Sequence, residues 1–332
     1  MFKNRIIAAF AIVTLPLVQS SLATEPAALC RSVAQSDWVQ FDVISGRITA
    51  HNVRHQRKRM SVTSDMPEGA HETFSVSFEG QRPAVHYNCV DVSQALLIDI
   101  VDGDEFLIRH ERENGGKPWS LYFNQTKSEG VTLRIESEAA ATTRRAPGFW
   151  HLMLLEPQLC RTHLVPLLES LRPDWRLTET ADTLEKSLLE LAKNGYNPPR
   201  QQLDQLIRQL GSNNFSKRRA ADRELRNHGQ SLHSYFKQLD PNSLNAEQRQ
   251  RIRSISASLA IHVGDTPQRV TSQLAGDPAI YLMLLERDEV SIRELAAVQL
   301  ERLKGRPISF DPFGSEADRL EQAERLRRMF FR

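Results

Sequence analysis

Cys160 and His163 stand one helical turn apart in the apolar stretch FWHLMLLEPQLCRTHLVPLLESL, residues 149 to 171, with His151 upstream. A thiol beside an imidazole is the starting pair for cysteine catalysis or for a metal ligand set. Zinc takes three or four ligands, and a cysteine nucleophile needs an oriented base and an oxyanion hole. The segment completes neither set, so Cys160 reads as a buried structural cysteine or a disulfide partner. His51 and His55 are four apart in strand or loop sequence, which separates their side chains by about 13 Å and argues against a shared metal. Asp102 and Asp104 sit in the turn DGDE, without the further oxygen ligands of a calcium loop. Glycine-rich phosphate loops, G-x-S-x-G, H-E-x-x-H and C-x-x-C are all missing from the sequence. No catalytic residue, metal ligand or cofactor site is therefore predicted, and an enzyme of unknown class ranks third among the functional readings.

Arginine offers the other chemistry. HNVRHQRKRM carries Arg54, Arg57, Lys58 and Arg59, and NNFSKRRAADRELRNHG, residues 213 to 229, carries Arg218, Arg219 and Arg223. Between Pro198 and Ala260 eleven Lys or Arg face five Asp or Glu, a local basic excess. Arg54, Arg57, Lys58, Arg59, Arg219 and Arg223 form the predicted surface for an anionic partner. The competing structural reading has two parts. The first run is a solvated hairpin tip or a charged edge strand, and Arg218, like Arg293 further on, ties backbone carbonyls between packed helices. No aromatics interleave with the first run to stack bases, so nucleic acid is not an expected partner. A protein or an anionic envelope component is.

The leader sets the compartment. Met1 to Arg5 is a short basic head, Ile6 to Val18 is apolar apart from Thr14 and Pro16, and Ser21-Leu22-Ala23 supplies small residues for cleavage after Ala23. Export to the periplasm or beyond is expected, with no transmembrane segment left after cleavage. The whole chain has 43 Lys plus Arg and 41 Asp plus Glu; removing Lys3 and Arg5 leaves the mature chain balanced, so partner binding has to come from a local patch. Three cysteines, Cys30, Cys89 and Cys160, allow at most one internal disulfide, whose pairing stays open.

The elements that position these residues change period along the chain. From Asp37 to about Glu136 the period is two, as in TFSVSFE and GVTLRIE, and Ser45-Gly46, Asp102-Gly103-Asp104 and Asn114-Gly115-Gly116 mark turns. Short gaps force hairpins, which predicts an antiparallel meander of about seven to nine strands over residues 24 to 140. Residues 141 to 195 read as a low-complexity linker, EAAATTRRAPG at its start, and a helical connector that covers the open sheet face or caps the C-terminal helices. From 196 to 332 the pattern is one of short helices with one apolar stripe each, and such helices cannot bury their stripes alone.

Arg218-x-x-Ala221-x-x-x-Leu225 reappears 75 residues later as Arg293-x-x-Ala296-x-x-x-Leu300, close to two units of about 40 residues. A middle copy falls near residues 246 to 262, and glycines follow at 229 and 305. On these residues the C-terminal part resembles the HEAT-like repeats of exported bacterial proteins. The resemblance implies a short α-solenoid after the sheet, an α+β protein overall, and a surface that binds rather than a pocket that catalyses. The leading expectation is thus an exported, non-enzymatic binding or scaffold protein. The alternative is a carrier holding a lipid or another hydrophobic ligand between a curved sheet and the 149 to 171 helix.

Overall fold

The computed structural model describes residues 38–53, 59–65, 71–79, 82–114, 116–195, 200–228, 232–259 and 264–331. Residues 1–23, expected to be a leader, lie outside them, as do Cys30, Arg54, Arg57, Lys58 and Gly229. The described residues form an α+β protein.

Ten strands run from β1 (Val39–Ile44) and β2 (Arg47–Asn52) through β3 (Met60–Asp65), β4 (His71–Glu79), β5 (Arg82–Val90), β6 (Gln94–Val101), β7 (Glu105–Asn114), β8 (Lys117–Thr126) and β9 (Gly130–Ser137) to β10 (Ala141–Ala146). The last eight make one antiparallel meander in sequence order, while β1 and β2 pair only with each other. The expected single meander is thus two sheets. Residues 141–146, read as the start of a linker, are the edge strand β10. Its sequence, Ala-Thr-Thr-Arg-Arg-Ala, buries only Ala146, so an edge with one packed side chain leaves no apolar alternation to read.

Register explains why the period of two suffices elsewhere. Phe74, Tyr87, Ile98, Ile108, Phe123 and Leu133 are direct cross-strand neighbours from β4 to β9, and each is fully buried. A slip of one residue in any strand would turn its apolar set outward. The covering layer is α1 (Phe149–Leu155), α2 (Pro157–Leu159), a π-helical turn (Cys160–Leu164) and α3 (Val165–Leu171). Pro157 opens a new segment after the break at Glu156. Pro166 has no N–H to return to the carbonyl four residues back. The preceding turn widens, and the Val165 N–H bonds the Cys160 carbonyl.

The small hairpin lies on the same covered face. The buried Gln125 side chain accepts from the Ile48 N–H at 2.9 Å and donates to the carbonyls of Ile48 and Asp104, both at 2.7 Å. One amide side chain thus substitutes for a strand partner and stitches the small sheet to the large one. The β1–β2 turn, Ser45-Gly46, has positive φ at both residues, 53° and 73°, a left-handed pair that a non-glycine residue adopts at a cost. Asp265 holds it: its carboxylate accepts the N–H groups of Ser45 and Gly46 and the indole N–H of Trp150, each at 2.8 Å.

The remaining helices are α4 (Leu177–Lys193), α5 (Arg200–Leu210), α6 (Phe215–His228), α7 (Leu232–Lys237), α8 (Ala246–Leu259), α9 (Pro267–Leu274), α10 (Pro278–Leu284), α11 (Val290–Lys304) and α12 (Glu316–Phe330). They divide between two apolar cores. The sheet, α1 to α4 and α9 to α12 share the large one, whereas α5 to α8 close a small one around Leu210, Ala221, Leu225, Leu232 and Ile255. Helix α4 packs on α9 and α11, and α1 packs on α10. The connector therefore both covers the sheet and receives later helices.

Candidate functional site

Five helix starts in the C-terminal half share one device. Arg218, Arg249, Arg269, Arg293 and Arg319, each three or four residues past the helix cap, send Nη1 back to a carbonyl of the preceding loop. The acceptors are Ser212, Leu244, Gly264, Arg287 with Asp288, and Gly314, at 2.6 to 3.0 Å. Loop carbonyls at a helix junction have no helical donor, and a guanidinium with five N–H groups can supply several. Arg218 and Arg293 match most closely, since both reach the residue six positions earlier. In both copies the alanine and leucine that follow are fully buried, and the helix packs on its predecessor, α6 on α5 and α11 on α10. Arg249 occupies the same place in the loosely matching middle segment. These arginines brace the chain and are spent on structure.

Helix α6 shows the contrast. Asn214 caps it, its side-chain oxygen accepting the Ser216 N–H at 2.8 Å. Ala221 and Leu225 enter the small core. A second face is a polar seam against α8, in which Arg226 bonds Asp222 at 2.7 Å and reaches Ser254 and Ser258, while Arg218 approaches Glu247 at 3.4 Å. The third face carries Phe215, Arg219 and Arg223, all exposed. Four-residue spacing stacks them along one side of the helix. Neither Arg219 nor Arg223 has an ion pair or hydrogen bond among the described residues. Of the predicted anionic-partner residues, Arg59 is exposed at the start of edge strand β3, and Arg219 and Arg223 share the α6 face.

The cysteines and histidines do not converge. Cys89 and Cys160 are buried free thiols, not bonded to one another. Burial raises both, Cys160 to about 12, far from a reactive thiolate. The Cys160 thiol points to the Leu152 carbonyl at 3.8 Å, whereas the His163 ring lies 5.3 Å from the Trp119 ring. His151 meets Asp277, the cap of α10, at 3.2 Å. Among the described residues no three His, Cys, Asp or Glu side chains gather as a metal site would require.

A cluster that sequence reasoning passed over surrounds Trp119. His110 and His163 pack on its ring at 5.6 and 5.3 Å, and the Arg112 guanidinium lies 4.3 Å from its centroid. The signal was in the phase of β7: Phe106, Ile108, His110 and Arg112 all fall on the buried alternation, so two polar residues follow two core ones. Burial, and then the Arg112 charge, lower His110 to about 4, and the same two causes lower His163. A depressed imidazole means that the fold favours the neutral ring. Its contribution is complete above the ordinary value near 6.5 and is lost as pH falls from there toward 4. Stability should therefore drop by about 3 kcal/mol between pH 7 and pH 4 on account of His110. Urea denaturation across that range, in the wild type and in His110→Phe, checks this; the variant should show a shallower slope.

No protein-family model, curated protein or solved structure matches this chain.

Proposed function

We propose that this is an exported, non-enzymatic binding or scaffold protein whose short HEAT-like helical array presents a basic face to a protein or another anionic envelope partner. The observation that carries the reading is the division of labour among the arginines of α6 and α8. Arg218, Arg226, Arg249 and Arg251 are tied to carbonyls, carboxylates or serines, while Arg219 and Arg223 stay exposed and uncommitted on one side of a capped helix. Two like charges at four-residue spacing repel by a few tenths of a kcal/mol, and an acidic partner would relieve this. The repeated arginine brace at Arg218 and Arg293, with its helix pairs, supports the solenoid reading. The leader supports export. No helix among the described residues is long and apolar enough to cross a membrane.

Such a face recognises by charge and steers encounter, so binding should weaken as salt rises. Affinity capture from the cell envelope at low and high ionic strength tests this against Arg219→Glu/Arg223→Glu, two exposed substitutions that should leave stability within about 0.5 kcal/mol. A partner lost both in high salt and in the double variant is the expected outcome. An unchanged partner set in the variant would dismiss the basic face. The carrier reading has no such observation in its favour: Phe74, Phe106 and Phe123 of the sheet and Phe149, Leu152 and Leu164 of the cover are fully buried in one continuous core.

A further inference from the structure

The hairpin turns β5–β6, β7–β8 and β9–β10 all fall at one end of the large sheet, and a cavity of about 550 Å³ opens there. Val92, Gln94, Arg112, Pro118, Trp119 and Glu138 are among the residues that line it. We propose that this cavity is a binding site for a small organic monocarboxylate, with Arg112 holding the carboxylate and the loop residue Val92 and Pro118 facing its apolar body.

Arg112 is a cation without a counter-charge. Three other arginines of the sheet have carboxylate partners, Arg109 with Glu111, Arg134 with Glu136 and Arg144 with Glu156. Arg112 has no carboxylate within pairing distance among the described residues, and its Nε is shut off from solvent with no acceptor. Arg161, Arg218, Arg287 and Arg319 also hold a buried Nε without an acceptor, yet each bonds a carboxylate or carbonyl through another guanidinium nitrogen; Arg112 makes no such bond among the described residues, which asks for a missing acceptor. Burial also disfavours the charge, and a guanidinium does not give up its proton near neutral pH; the Trp119 ring at 4.3 Å offsets part of that cost, and an anion would offset more.

The surroundings select the ligand. Three glutamates at the mouth are already neutralised, Glu111 by Arg109, Glu136 by Arg134 and Glu138 by Lys117, which leaves Arg112 against the exposed Glu113. One guanidinium beside an acid suits a single negative charge and penalises phosphate. His110 and His163, held neutral by burial, add no charge at pH 7. The apolar side is equally unexplained by packing, because Val92 is 95 % exposed at the tip of its loop. The site is preorganised. Asp91 accepts from the N–H groups of Ser93 and Gln94 and from the Gln94 amide, and His110 meets the Gln94 oxygen at 3.1 Å. A cavity of this size accommodates a small ligand.

The test titrates the full chain with benzoate, hexanoate, benzyl alcohol and inorganic phosphate, read by calorimetry and by the Trp119 indole N–H resonance, assigned with Trp119→Phe. Benzoate or hexanoate should saturate and shift that resonance, at least about tenfold more tightly than benzyl alcohol or phosphate. Arg112→Gln should abolish the preference for the carboxylate. Val92→Asp, on an exposed loop and remote from the core, should weaken carboxylate binding by a similar factor, which keeps the test valid if Arg112→Gln does not fold. Absence of saturation, equal binding of benzyl alcohol, tighter binding of phosphate, or carboxylate binding indifferent to both substitutions would overturn the assignment.

Discussion

Asp265→Ala is expected to lower stability by about 4 kcal/mol. The carboxylate collects three donors, the N–H groups of Ser45 and Gly46 and the Trp150 indole, and the Asp265 N–H donates to the Val43 carbonyl at 2.6 Å. Truncation strands these donors around a left-handed turn that Ser45 does not favour. Burial pushes the Asp265 carboxyl above its ordinary value, against the lowering pull of the same three donors and Arg269. With its folded value raised, the fold prefers the proton, and stability from this group declines as pH rises through that value. Asp265→Asn keeps size and one acceptor oxygen and should lose roughly half as much. Urea denaturation of both variants at pH 7 decides the ordering; an alanine variant within about 1 kcal/mol of wild type would remove Asp265 as the tie between hairpin, α1 and α9.

Arg293→Met is expected to cost a comparable amount, about 4 kcal/mol. The side chain is buried, and its guanidinium bonds the carbonyls of Arg287 at 2.7 Å, Asp288 at 2.6 Å and Pro312 at 2.8 Å. Methionine fills similar space but offers no donor, so three carbonyls at the α10–α11 and α11–α12 junctions are left without one. Arg218→Met should cost less, about 1 to 2 kcal/mol, because Arg218 is partly exposed and water can replace it. Thermal melts of both variants beside Arg219→Met, which should be near neutral, separate bracing arginines from free ones. Equal effects at all three positions would mean that the brace is a surface contact without structural weight.

Strands are legible in this sequence where side-chain period and register coincide. Most of them announce themselves because their alternation is one-faced, as in Phe74, Val76 and Phe78, and a sheet with one covered face demands that pattern. Legibility ends where a residue's role depends on a distant partner. Asp265 sits 219 residues from Gly46, and nothing near Thr266 and Pro267 distinguishes a cap-side aspartate from a hub. Gln125 sits in the buried phase of β8 after Leu121 and Phe123, a visible anomaly whose partner, Ile48, lies in another sheet. The separation of β1–β2 from the meander is likewise a matter of long-range bonding, since its own alternation is ordinary. At the candidate face, Arg219 and Arg223 were legible as charges. Their freedom was not, because it rests on which neighbours Arg218 and Arg226 engage across α8.

Site-specific photocrosslinking in the native envelope puts the basic face to the most direct test. A photoreactive residue replacing Ala220, exposed on α6 between Arg219 and Arg223, should crosslink to one discrete partner in a salt-sensitive manner, whereas one replacing Val101 on the large sheet should not. Labelling confined to the sheet position, or equal labelling from both, would contradict a partner surface on the helical array.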